Sequence, residues 1–232
     1  MLPTGCHDPT RRFENEDVRY HATMPLTPDE YYENATSLGE DQARRALSAL
    51  ADWEPFPFEV EGLRAATLAR PEIPEAPRHD EDPATCRSCA ANDGLPVWHN
   101  EAWRLIALSE PSGAPLILML LPKEHFDLGD LPDEMAAQLG QITVHVARAV
   151  ESLEHIARAH VARFGDGGAH LHVFFFARPE GFVQLRGNFF MVWDDLLAPV
   201  PRAVRDADAR RVGELLAASF GGTTSTSRSP SI

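Results

Sequence analysis

Long apolar runs are missing from this 232-residue chain. No stretch approaches the roughly 20 apolar residues needed to cross a bilayer, and the strongest, PLILMLLP at 115–122, has the length of a strand. The N-terminus, MLPTGCHDPTRRFENED, is polar from its first residues and lacks the apolar centre of a secretion signal. A cytoplasmic protein without membrane contact is therefore expected. Cysteine is scarce too, and three in a chain of this size do not make a disulfide framework. Basic residues are outnumbered 21 to 35 by acidic ones, for a formal net charge of -14. That excess repels a phosphate backbone at long range and argues against extended duplex nucleic acid as a partner. A small nucleotide or other phosphorylated ligand in a locally basic pocket remains admissible.

What is present, 44% hydrophobic and 24% charged residues, is enough to build a packed soluble core. Residues 1–84 read as an N-terminal extension. Within it, Thr27-Pro28-Asp29-Glu30 joins an N-cap threonine, a proline suited to the first helical position and a glutamate three residues after the cap, so a helix starts near Pro28. A second helix is expected over DQARRALSALADW, with Leu47, Leu50 and Trp53 as its core stripe. From Pro55 to Pro83, prolines and acids dominate, as in a linker or an arm lying over the main domain.

The main domain is placed at 85–201. LPVWHN and AWRLIAL read as strands turning at Asn100-Glu101, and APLILMLLP as a strand buried on both faces. Leu131-Pro132-Asp133-Glu134 opens the longest helical pattern, with Leu139, Ile142, Val146, Ala149, Val150 and Leu153 on one side. ARAHVARF and HLHVFFFAR follow as strands joined at Gly165-Asp166-Gly167-Gly168. This order predicts an α+β fold, an antiparallel sheet with a long helix packed on it. Residues 202–232 are expected to add a C-terminal helix and a tail, GGTTSTSRSPSI, with the composition of a disordered segment.

Cys86-Arg87-Ser88-Cys89 is a CxxC, a spacing that lets two thiolates reach one zinc ion and that redox pairs share. Redox pairs sit in a βαβ unit, whereas this one follows a proline-rich arm and precedes a hairpin, which favours metal. A tetrahedral site needs two further donors. His125, at the end of the buried strand, and His170, at the head of the aromatic strand, stand out by position among ten histidines. Spacing alone favours a surface role for His125 and a hydrogen-bonded edge role for His170 over ligation. In GGAHLHVFFFARP, residues 167–179, alternation along a strand points His170 and His172 the same way.

The order CxxC, PKxH after an apolar strand, a long helix and HxHx on a late strand resembles the zinc-containing bacterial members of the histidine triad superfamily, over about residues 85–180. The resemblance implies a histidine-triad-like antiparallel sheet with its long helix, and a structural zinc on Cys86, Cys89, His125 and His170. It also implies a nucleotide hydrolase or nucleotidyltransferase acting on a phosphate ester, anhydride or phosphoramidate, and either a homodimer paired through the helix and a strand edge or an N-terminal extension that covers that surface instead. The nucleophile is the middle histidine of HφHφHφφ, where φ is apolar, here His172. Imidazole suits the task because it is nucleophilic when neutral near pH 7 and leaves readily from phosphorus.

Two departures from that pattern matter. The third histidine position holds Phe174, whose ring can neither bind phosphate nor move a proton. The polar side chains that the family places before the triad are replaced by Gly167, Gly168 and Ala169, whose backbone N–H groups could form an anion-binding nest. A register that makes His170 the nucleophile and His172 the third histidine would remove one zinc ligand and displace Arg178 from the family's PR position. Candidate replacements for the lost phosphate contacts are Arg163, Arg178 and the polar residues Gln184, Arg186 and Asn188, each of which also reads as a solvated surface residue. Trp193-Asp194-Asp195 reads either as a general acid or as an ordinary helix start. Phe174 and the Gly-Gly-Ala run support an alternative, a non-catalytic zinc-held module that binds a nucleotide or a protein partner. Elemental analysis of the purified chain should find about one zinc per polypeptide; a well-folded, metal-free protein would overturn the metal assignment.

Overall fold

The computed structural model describes residues 27–37, 56–58, 63, 69–90 and 96–224. Cys6, His7, the helix expected over 41–53 and residues 225–232 lie outside them. In chain order the elements are α1 (Pro28–Thr36), a short α2 (Arg87–Ala90), β1 (Trp98–His99), β2 (Trp103–Ala107), β3 (Ile117–Pro122), α3 (Asp133–Glu151), β4 (Ile156–Ala162), β5 (Val173–Pro179), α4 (Phe189–Leu196) and α5 (Arg202–Phe220). At α1 the capping box forms as its sequence predicts. Thr27 Oγ1 accepts from the Glu30 N–H at 3.3 Å, and the Thr27 N–H donates to Glu30 Oε2 at 2.7 Å.

The five strands make one antiparallel sheet in the order β1-β2-β3-β5-β4, and the fold is α+β. Asn100 makes the first turn by accepting on Oδ1 from the N–H groups of Ala102 and Trp103, at 3.0 and 2.7 Å. Helix α3 begins with Asp133 and Glu134, acids that suit the positive end of its dipole. It lays Ile142, Val146, Ala149 and Val150 on the sheet face built from Leu105, Leu118, Leu120, Val173, Phe175 and Ala177. The other face is partly covered by α4, where Phe190 packs with Ile117 and Phe176. Strand β3 is thus enclosed on both sides, as its continuous apolar run requires.

Helix α5, read from sequence as following the main domain, puts Ala209, Val212 and Leu216 into the same core as α3 and the sheet. The approach is tight at Gly213, where a Cβ would stand 2.2 Å from the Val97 carbonyl oxygen. Just beyond the helix, Thr223 exchanges two backbone hydrogen bonds with His99, at 2.9 and 2.8 Å, and covers the β1 edge of the sheet. Among the described residues no helix is long and apolar enough to cross a membrane.

One element differs from its expected span. HLHVFFFAR was expected to be strand throughout, yet β5 begins at Val173. The backbone before it bonds elsewhere: the Leu171 N–H donates to the Phe126 carbonyl at 2.7 Å and the Ala169 N–H to the His79 carbonyl at 2.9 Å. His170 and His172 therefore sit on an extended lead-in, held by a loop and by the N-terminal arm.

Leu216 is fully buried. Replacing it with alanine should cost about 2–5 kcal/mol, the usual range for a leucine deleted from a close-packed core. Urea unfolding measures this, and a loss under about 0.5 kcal/mol, typical of surface positions, would contradict the placement of α5 in the shared core.

Candidate metal centre and the adjoining histidine

The CxxC segment enters through a turn in which the Ala84 N–H donates to Asp82 Oδ1 at 2.9 Å and the Thr85 N–H to the Asp82 carbonyl at 3.1 Å. The single helical turn of α2 then brings both sulfurs to one side, because residues three apart on a helix are neighbours. Cys86 is buried, 1% exposed. Arg104, buried on β2, donates to the Ser88 carbonyl and pins the turn against the sheet.

His125 leaves the end of β3, and His170 rises from the lead-in to β5. His170 Nδ1 lies 3.5 Å from each cysteine sulfur, and His125 Nδ1 lies 3.4 Å from Cys89 Sγ. A zinc tetrahedron with Zn–S of about 2.3 Å and Zn–N of about 2.0–2.1 Å separates sulfur from nitrogen by about 3.5 Å. All four donor atoms lie within 4.8 Å of one another. His170 Nε2 stands 3.0 Å from the Pro122 carbonyl oxygen, to which it donates as N–H. That bond assigns the tautomer and leaves Nδ1 as the free donor, the usual outer partner of a metal-bound histidine.

Electrostatics agree with the geometry. Burial, and then the neighbouring Cys86 thiol, push the Cys89 thiol up to about 11. Burial also holds the His170 imidazole below its ordinary pKa, against the opposing pull of the Pro122 carbonyl. A His170 imidazole held toward its neutral form and a Cys89 thiol whose ionisation is disfavoured without a compensating charge make a donor set suited to a soft divalent cation.

His172 lies beside this cluster and is not part of it. Its Nδ1–H donates to the His170 carbonyl at 2.9 Å, which leaves Nε2 as the nitrogen outside that bond. The ring meets Phe174 edge to face at 5.3 Å, and Phe174 in turn meets Phe176 at 5.8 Å. Paired residues across the strands share a face, so Phe174 and Phe176 stand with Met119, Ala162 and His160 on the side opposite α3.

The remaining sequence candidates are placed differently. Gly167 and Gly168 lie against the N-terminal arm: the His79 N–H donates to the Gly167 carbonyl at 3.2 Å, and the Ala169 N–H is taken by His79. One donor of the expected nest is thereby used inside the fold. Arg163 pairs with Asp127. Arg178 Nη1 donates to the Phe182 carbonyl at 3.1 Å, and Gln184, Arg186 and Asn188 are exposed on the connection to α4. Asp194 accepts from the Ser112 hydroxyl and the Ala114 N–H, both at 2.7 Å, and so fastens α4 to the loop before β3. A cavity of about 120 Å³ on the open face is lined by His160, Phe176, Asn188, Phe190 and their neighbours, not by His172. It is small beside the roughly 300–1,000 Å³ of sites that enclose a drug-sized ligand. Sequence reasoning missed Arg104 and the His79 bridge; neither carries a local motif.

No family model and no curated protein matches the chain. Solved structures do. A zinc-bound histidine triad family protein from Mycobacterium smegmatis is 20% identical over 56% of this chain and 89% of its own, with a TM-score of 0.41. A histidine triad protein from Sinorhizobium meliloti is 23% identical over 53% and 90%, TM-score 0.43. A hypothetical histidine triad nucleotide-binding protein from Sulfolobus tokodaii is 16% identical over 61% and 100%, TM-score 0.41. At these values nothing about the site is carried across from them.

Burial, then the Arg178 charge, hold the His160 imidazole below its ordinary pKa, against a hydrogen bond to the Leu185 backbone. Such a group stabilises the fold above its unfolded pKa, near 6.5, and loses that contribution as pH falls through the lower folded value. The urea midpoint should therefore drop between about pH 7.5 and about pH 5.5. His160→Gln should shrink the drop; an unchanged drop would assign it to other groups, His170 among them.

Proposed function

We propose that this chain is a zinc-stabilised, histidine-triad-like hydrolase or nucleotidyltransferase. It acts on a nucleoside phosphate ester, anhydride or phosphoramidate through a nucleotidyl-histidine on His172. The observation that carries the reading is the division of labour between two neighbouring imidazoles. His170 turns Nδ1 toward the cysteines, while the 2.9 Å bond from His172 Nδ1 to the His170 carbonyl directs the His172 lone pair to Nε2. Cys86, Cys89, His125 and His170 would hold the metal, whose contribution is structural, because four protein ligands close the coordination sphere to water.

In the reaction, His172 Nε2 attacks the α-phosphorus. A P–N bond forms as the bond to the leaving group breaks, and the leaving group departs with the electron pair and takes a proton from solvent. Water or another acceptor then attacks phosphorus and gives up a proton to solvent as the P–N bond breaks and its electron pair returns to Nε2, regenerating the imidazole. The His170 carbonyl holds the ring orientation throughout and stabilises positive charge that develops on it. Backbone N–H groups at Gly167 and Gly168 are the phosphate contacts this reading assigns; Arg163 is taken by Asp127, and Arg178 stands at the far end of β5 from His172, with Gln184 beyond it.

A second reading rests on Phe174 and on the use of the Ala169 N–H by His79. Both remove polarity from the place where phosphate would lie, as expected for a module that binds a nucleotide or a protein without turning it over.

Incubation with dinucleoside polyphosphates and amine adenylates, followed by intact mass measurement, separates the two. The enzyme reading predicts a nucleotidyl adduct and turnover, both lost in His172→Ala, with the rate down on the order of 10³-fold or more. Ligand-induced stabilisation without adduct or turnover would establish the binding module instead.

A further inference from the structure

Three consecutive residues of the N-terminal extension touch every segment that carries a donor of the Cys2His2 cluster. Arg78 Nη1 donates to Asp127 Oδ2 at 2.7 Å, two residues beyond His125, and to the Gly165 carbonyl at 3.0 Å. His79 bridges Gly168 through its backbone, donating to the Gly167 carbonyl and accepting from the Ala169 N–H, next to His170. Asp80 Oδ1 accepts from the Arg87 N–H at 2.9 Å, between the two cysteines.

The need for such contacts follows from how the donors are carried. Helix α2 is four residues long and buries none of them, so although Cys86 just before it is buried, core packing does not fix where Cys89 sits. His125 and His170 both lie on irregular backbone outside the strands. Asp80 holds a left-handed φ of 61°, uncommon for a residue other than glycine, and such a conformation persists where surrounding contacts over-determine it. Its side chain is only 12% exposed. A Cβ on Gly168 would stand 3.8 Å from both the His79 carbonyl oxygen and Asp80 Oδ2, so the strap lies directly against the glycine.

We propose that Arg78-His79-Asp80 is a clamp that gathers the three ligand segments and thereby sets the metal affinity of the cluster without touching the metal. Arg78 and Asp80 are positioning residues; His79 acts through its backbone. The proposal rests on the reading of the cluster as a zinc site, and it extends that reading to a part of the chain outside the residues that resemble the histidine triad superfamily. Coupling is reciprocal: what the clamp gives to the metal, the metal returns by holding the clamp.

The test is zinc affinity of the full chain, measured by competition with a chromophoric chelator. Loss of an outer partner of a metal site typically costs 10–100-fold in affinity, so Arg78→Ala and Asp80→Ala should each weaken zinc binding by about that factor. His79→Ala, which keeps the backbone bridge, should stay within about twofold of wild type. If Arg78→Ala and Asp80→Ala bind zinc as tightly as wild type, the clamp is wrong and the zinc site stands. If the wild type takes up no zinc, both fall. Hydrogen exchange on the wild type gives an answer even if a variant does not fold. The Arg87 and Ala169 amides, both bonded to the strap, should exchange faster once zinc is stripped, and equal protection with and without zinc would contradict the clamp.

Discussion

Four side chains from three separate stretches bring their donor atoms within 4.8 Å of one another, and the surroundings of His172 depend on that convergence. Only Cys89 lies within a regular element, the single turn of α2; Cys86, His125 and His170 sit on irregular backbone. One buried and one half-buried thiol and two imidazoles gathered this closely offer one another only weak S–H···N hydrogen bonds. A divalent cation turns the same arrangement into a net attraction, which is why its geometry is best understood as a coordination sphere. Sulfur to nitrogen separations of 3.4 and 3.5 Å fit the spacing of donors around a tetrahedral zinc ion.

The sheet supplies the frame. Strand β3, buried on both faces, ends at Pro122, whose carbonyl orients His170, and the next residues deliver His125. Strand β5 starts only after His172, because the preceding backbone is bonded to the Phe126 loop and to His79. Both histidines are thus freed from the strand ladder at the cost of relying on loops and on the N-terminal arm. His170 is turned inward to the cysteines. His172, two residues on, is tethered by the His170 carbonyl and flanked by the Phe174 ring.

Much of this was legible in the sequence where the signal was local. The capping box at Thr27, the apolar period of α3, the unbroken apolar run of β3 and the CxxC all translate directly into the elements found, because each depends on neighbours a few residues away. The four cluster residues were legible only together, through their order along the chain, and not through any one spacing. What escaped was non-local. Arg163 looked free to meet phosphate, yet pairs with Asp127, 36 residues away. Gly167 to Ala169 looked like an open anion nest, yet the proline-rich arm bonds to it through the backbone of His79, and backbone pairing at such a distance leaves no pattern in side-chain types. Helix α5, expected only as an addition after the main domain, packs into the shared core and approaches Val97 closely at Gly213.

The most direct measurement is X-ray absorption at the zinc edge of the purified chain. The account predicts a first shell of two sulfurs at about 2.3 Å and two nitrogens at about 2.0–2.1 Å, unchanged in His172→Ala. A shell without sulfur, or one that loses a nitrogen when His172 is replaced, would contradict the division between metal-binding and free histidine on which the functional reading stands.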